Sequence, residues 1–96
     1  MATGPTEPAR PTYQIEFAPS AIKQLEKLPK VMQRRIAAKI DALGREPRPH
    51  GVEKLEAREG LYRIRVGDYR VVYAIRDERL IVLILRIAHR KDVYRP

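Results

Sequence analysis

Between residues 13 and 17 the chain alternates. Tyr13, Ile15 and Phe17 fall on one side and Gln14 and Glu16 on the other, the period of a half-buried strand. The period then lengthens. Ile22, Leu25 and Leu28 recur at helical spacing behind Pro19, whose missing N–H is harmless in the first turn of a helix. Pro29 interrupts this run, and a second helix is predicted over Lys30–Leu43. Met32, Ile36, Ile40 and Leu43 share one of its faces, with Gln33, Arg34, Arg35 and Lys39 elsewhere. Gly44 is a natural stop, and the segment REPRPHG, residues 45–51, reads as loop. The short connection makes the two helices an antiparallel pair.

The remainder reads as β. Residues 61–66, 69–76 and 80–88 are three runs rich in Val, Ile, Leu and Tyr. Gly67-Asp68 separates the first two and suits a two-residue hairpin; Asp77-Glu78 separates the next two with less distinctive turn chemistry. The expected architecture is therefore α+β: an N-terminal strand, an antiparallel helix pair, then a three-stranded antiparallel meander with the helices on one sheet face. Residues 1–12, with three prolines, one glycine and no apolar period, read as a flexible tail, leaving residues 13–96 as a single domain.

Charge changes the picture of the second sheet face. Lys and Arg outnumber Asp and Glu by 20 to 12, a net charge of +8 on 96 residues, which implies a polyanionic partner. A two-residue hairpin sets Val66 against Tyr69, Arg65 against Arg70, Ile64 against Val71 and Arg63 against Val72. Tyr62, Ile64, Val66, Tyr69, Val71 and Tyr73 then share one face, and Arg63, Arg65 and Arg70 the other. Directly opposed like charges destabilise a sheet, so stability alone does not favour Arg65 across from Arg70. One reading is an anion site of guanidinium forks on rigid strands. The other is a solvated face whose arginines pair with Glu53, Glu56 or Glu59. The segment RIAHRKDVYRP, residues 86–96, favours the first. Its Arg86, His89, Arg90, Lys91 and Arg95 interleave with Tyr94, a pattern suited to RNA, where a base stacks on the ring while cations hold phosphates.

Other chemistries find little support. There is no cysteine, and His50 and His89 stand apart from other ligand types, so no metal or other cofactor is expected. No apolar run is long enough to span a bilayer and the start lacks a signal-type segment, so a cytoplasmic location with no membrane partner is the default.

The stretch KLEAREGLYRIRVGDYRVVYAIRDERLIVLILRIAHRKDVYR, residues 54–95, resembles the RelE branch of the RelE/ParE toxins. Its most specific parts are LYRIRVGDYRVVYAI and, further on, IAHRKDVY; FAPSAIKQLEKLP, residues 17–29, is similar to the family's opening strand and helix. The resemblance implies a RelE-like, microbial-RNase-like fold and a cognate antitoxin in a hetero-oligomeric complex. It further implies cleavage of mRNA in the ribosomal decoding site. The positions it makes catalytic here are Arg65, Arg70, Arg90 and Tyr94, with Arg63 also matching a basic position of the family.

The implied reaction is attack of a 2′-OH on its neighbouring phosphate. Arg65 and Arg70 would clamp the phosphate and stabilise the added charge, Arg90 would stand near the leaving group, and Tyr94 would stack on the target nucleotide. Lys54, Arg63, Arg86, Lys91 and Arg95 are the expected RNA-binding residues. Arginine cannot accept a proton, which leaves His89 as the nearby side chain suited to a general base. Tyr94 as tyrosinate, or orientation and electrostatics with no protein base, are the alternatives. Two other functions fit parts of the pattern: a ParE-like inhibitor of DNA gyrase without nuclease activity, and an RNA-binding module without catalysis.

Overall fold

The computed structural model describes residues 12–56 and 59–93. In chain order the elements are β1 (Gln14–Phe17), α1 (Pro19–Glu26), α2 (Lys30–Leu43), β2 (Glu53–Lys54), β3 (Leu61–Val66), β4 (Tyr69–Arg76), β5 (Ile81–His89) and α3 (Arg90–Val93). The strands form one mixed sheet in the order β1-β5-β4-β3-β2. The meander β3-β4-β5 is antiparallel throughout, as expected. Tertiary pairing enlarges it on both sides. β1 lies parallel to β5, and the two-residue β2 pairs antiparallel with β3.

Pro19 occupies the first turn of α1, and Ile22 N–H donates to Ala18 C=O to start the helix. Gln33, one turn into α2, reaches back with its side-chain amide to the carbonyls of Leu28 (2.8 Å) and Glu26 (3.2 Å). The Glu26 carbonyl closes α1 and the Leu28 carbonyl lies in the link to α2, so one side chain both caps α1 and fixes the junction. The helices cover one sheet face, where Ile36, Ile40 and Leu43 are buried against Val71, Tyr73, Val82 and Ile84. Ile22 departs from the expected stripe: it is exposed, and Ala21 is fully buried instead. α1 packs directly on β5, and a small residue lets the two backbones approach.

β5 carries one extra residue. Val72 pairs with Arg86 but Tyr73 with Ile84, so Leu85 is bulged. β1 ends opposite Ile84, and beyond it Gln24 of α1 accepts the N–H of Ile87 at 2.7 Å. The helix thus supplies the acceptor for the Ile87 N–H where the strand stops.

The two meander turns differ in kind. Gly67 takes φ 60° and closes the first with Val66 opposite Tyr69. A Cβ at Gly67 would approach Met32 Cε to 3.3 Å. Gly67→Ala is therefore expected to cost about 1–2 kcal/mol, mostly from the left-handed backbone, as a lower urea midpoint. The second turn is a 3-10 turn, Asp77–Arg79, followed by Leu80 at φ 55°. The strand consequently begins at Ile81, one residue later than the apolar run predicts.

That second turn anchors the loop of residues 45–51. Asp77 accepts hydrogen bonds from Tyr13 Oη (2.6 Å) and from Arg48 Nη1 and Nη2 (3.2 and 2.9 Å). Arg48 Nε donates to Tyr62 Oη at 3.0 Å, and its guanidinium lies over the Tyr62 ring. Tyr62 stacks on Tyr73, whose hydroxyl donates to Pro47 C=O at 2.7 Å. The Arg48 and Tyr13 hydrogen bonds hold the Asp77 carboxyl below its ordinary range, and burial pushes the Tyr73 hydroxyl up. Among the described residues no helix is long and apolar enough to cross a membrane.

Candidate nucleic-acid interface

The hairpin register is the one the sequence predicts: Arg65 lies directly opposite Arg70, Ile64 opposite Val71 and Arg63 opposite Val72. Strand alternation sends Tyr62, Ile64, Val66, Val71 and Tyr73 into the helix-covered core and turns Arg63, Arg65 and Arg70 to the other face. Arg86, opposite Val72 on β5, joins them there.

These arginines are not equivalent. Arg63 is ion-paired: its Nε and Nη2 lie 3.0 and 2.9 Å from Glu53 Oε1, across the short β2–β3 ladder. Here the solvated-face reading applies, and Arg63 has a structural partner rather than a free head group. Arg65 is exposed and makes no hydrogen bond or ion pair with a described residue. Arg70 is only 7% exposed. Its Nη1 donates to Tyr69 C=O at 3.3 Å, its Nε is buried without a partner, and no carboxylate of a described residue pairs with it. A buried guanidinium so poorly satisfied costs folding free energy, and it stands beside a second arginine that adds repulsion.

The C-terminal end of β5 reaches the same hairpin. Arg90 N–H donates to Asp68 C=O at 2.7 Å, which ties the start of α3 to the turn between the strands carrying Arg65 and Arg70. Arg90 and Lys91 are exposed at this end. The structure thus brings Arg65, Arg70 and Arg90 to one end of the meander.

Two expected residues fall elsewhere. His89 pairs with Tyr69 in register, and Arg70 with Ala88, so His89 belongs to the face opposite the arginines. Its ring meets Tyr69 edge-on at 5.4 Å, and its Nδ1 accepts the Lys91 N–H at 3.3 Å. That bond leaves the proton of a neutral ring on Nε2, as a donor. Lys54 pairs with Tyr62 and likewise belongs to the helix-side face. Both misplacements come from pairing parity, which depends on a register that residue spacing near the strand ends does not fix. Tyr94 and Arg95 lie outside the described residues.

One group on the arginine face carries no chemical signal in the sequence. Glu53, opposite Arg63, presents a carboxylate there with one oxygen held by the Arg63 fork. Glu53 and Arg65 also border the same cavity, of about 510 Å³, between α2, the loop after it and the edge of β3. A two-residue strand leaves no periodic signal, so only pairing reveals this placement. Among the described residues no group of three or more His, Cys, Asp or Glu is arranged to hold a metal ion.

The arrangement has relatives. Residues 15–94 match the family model described as the ParE toxin of type II toxin-antitoxin system, parDE. The chain is 36% identical over 84 residues to toxin RelG of Mycobacterium tuberculosis, covering 86% of this chain and 97% of that protein. Among solved structures it resembles RelE in the archaeal RelE-RelB complex from Pyrococcus horikoshii OT3. There the TM-score is 0.75 at 37% identity, over 82% of this chain and 96% of the other. The isolated E. coli RelE toxin gives a TM-score of 0.72 at 25% identity, over 80% and 83%. A family match over most of the chain, a RelE-like fold and arginines gathered at one end of the meander place this chain in the RelE branch of the RelE/ParE superfamily of type II toxins.

Proposed function

We propose that this toxin is a ribosome-dependent endoribonuclease that cleaves mRNA in the decoding site, works without a metal ion, and is held in check by a cognate antitoxin. The observation that carries the reading is Arg70, a nearly buried guanidinium with an unpartnered Nε, opposite the exposed Arg65. A cation kept at a cost to stability, beside another cation, is accounted for by an anion bound during function. The antitoxin proposal draws on the similar chains solved as RelE-RelB and toxin-antitoxin complexes from P. horikoshii and M. tuberculosis.

The chemistry is an internal displacement at phosphorus. The 2′-oxygen forms a bond to its neighbouring phosphate while the bond to the 5′-oxygen breaks, giving a 2′,3′-cyclic phosphate and a 5′-OH. Arg65 and Arg70 bind the non-bridging oxygens and stabilise the charge that builds in the transition state. Arg90, beside the hairpin, stabilises the departing 5′-oxygen, which takes its proton from water. Tyr94 is the ring proposed to stack on the target base.

The proton of the 2′-OH needs an acceptor on the arginine face, and with His89 on the other face Glu53 takes that role. Arg63 fixes one oxygen of the carboxylate and leaves the other to accept the proton. Glu53→Gln keeps an oxygen for Arg63 and should fold normally. Its cleavage rate is expected to fall about a hundredfold, with loss of the acid-side decline in the pH–rate profile. An unchanged profile would remove Glu53 from the mechanism.

The whole reading is tested by inducing the toxin in a bacterial host and mapping RNA 5′ ends, with Arg70→Ala as control. New ends inside translated regions, in codon register and absent in the control, are the expected result. Growth arrest with DNA breaks and no such ends would replace the nuclease with gyrase inhibition.

A further inference from the structure

The cavity bordered by Glu53 and Arg65 adjoins a second groove, of about 450 Å³, lined by Arg35, Ala38, Lys39, Arg65, Val66 and Gly67. Lys39 and Arg65 border both. The two differ sharply in charge. The first includes the carboxylates of Glu46 and Glu53, whereas the second is lined by three cations and no acidic residue. Arg35 and Lys39 are exposed and stand one helical turn apart on α2, about 6 Å along its axis. Neither forms an ion pair with a described residue. The guanidinium of Arg35 lies over the hairpin tip, 3.5 Å from where a Cβ on Gly67 would sit, so the glycine keeps the floor of the groove low.

We infer that this groove carries the RNA strand away from the scissile phosphate, across the open edge of β3 and onto α2, with Arg35 and Lys39 each binding a flanking phosphate. The inference rests on the nuclease reading above and extends it to residues outside the reacting centre. Three features select a nucleic-acid strand. Arg65 belongs to both the phosphate clamp and the groove, so a strand bound at one is led into the other. A polyanion is drawn more strongly to the carboxylate-free groove with its three cations than to the cavity where Glu46 and Glu53 offset Lys39 and Arg65. The apolar lining is limited to Ala38 and Val66, too little to anchor an amphipathic protein helix.

The test is the salt dependence of RNA binding by the intact purified toxin. The probe is a short fluorescent single-stranded RNA, 2′-O-methylated throughout so that it cannot be cleaved. Arg35→Ala/Lys39→Ala is compared with Arg65→Ala and with Lys23→Ala/Lys27→Ala, which removes the same charge from α1. Two lost phosphate contacts predict a slope of log K against log salt shallower by about 1.4 in the groove variant, and no comparable change in the α1 variant. An unchanged slope in the groove variant, with weaker binding in Arg65→Ala, overturns the groove and leaves the nuclease reading standing. Failure of the unaltered toxin to bind the probe at low salt overturns the groove, whereas absence of new RNA 5′ ends on induction in cells overturns the nuclease reading itself. Unchanged RNA binding with loss of antitoxin binding overturns the inference and makes the groove a protein interface.

Discussion

Arg70→Met is expected to yield a protein that is more stable and inactive. The side chain is 7% exposed, its Nε has no partner, its one hydrogen bond goes to the adjacent Tyr69 carbonyl, and Arg65 stands opposite. Methionine has a similar length and no charge to desolvate. Replacing a poorly satisfied buried ion by a packed apolar chain of similar volume stabilises by about 1–3 kcal/mol. In a domain of this size each kcal/mol raises the melting temperature by about 4–8 °C. Cleavage should fall by about 100- to 1,000-fold, the usual loss when one preorganised donor to developing charge is removed. Thermal melts and a cleavage assay on the same preparation read both effects. A drop in melting temperature would mean that Arg70 is a structural cation with a favourable environment, and the functional argument built on its burial would fail.

Tyr73→Ala is expected to cost about 3–5 kcal/mol, a large share of the stability of a domain of this size. Tyr73 is fully buried at the centre of the sheet, stacked on Tyr62, with its hydroxyl donating to Pro47 C=O. Truncation opens a cavity beneath the helices and releases the loop that follows α2. Tyr73→Phe separates the two contributions. It keeps the ring and loses only the hydrogen bond, so its cost should be about 1 kcal/mol, with cleavage intact. Urea denaturation of the pair measures both. Near-equal costs would show that the hydroxyl, and with it the anchoring of Pro47, dominates over packing.

The two predictions have opposite signs for one reason. The faces of a sheet alternate along each strand, so Arg70 and Tyr73, three residues apart on β4, point to opposite sides. The Tyr73 side is covered by helices and optimised for packing. The Arg70 side is where stability is given up, and a concentration of such losses in one place is what a binding site looks like physically.

Local pattern alone is enough for β1, α1, α2, the three meander strands and the first hairpin. Alternation at 13–17, helical spacing from Pro19 to Leu43 and the Gly67-Asp68 turn are local patterns. A two-residue turn leaves one register, so the pairing of Arg65 with Arg70 follows without any knowledge of the rest of the chain. Inside that frame, the surroundings of each charged residue come from long-range pairing. The pairing of β1 with β5, across 67 residues of chain for Gln14 and Ile81, has no local signature. The two-residue β2 is too short to show a period, yet it supplies Glu53 to Arg63 and sends Lys54 to the other face. The face of His89 is set by its pairing with Tyr69, after the Leu85 bulge has shifted the β4–β5 register by one residue. Side chains at strand positions change face with each single-residue shift, so what a distant strand or bulge decides is parity, and parity is what places a residue in the site or outside it. Burial is decided the same way: nothing in the spacing around Arg70 marks it as the cation covered by its neighbours, because burial belongs to the packed sheet and not to the strand.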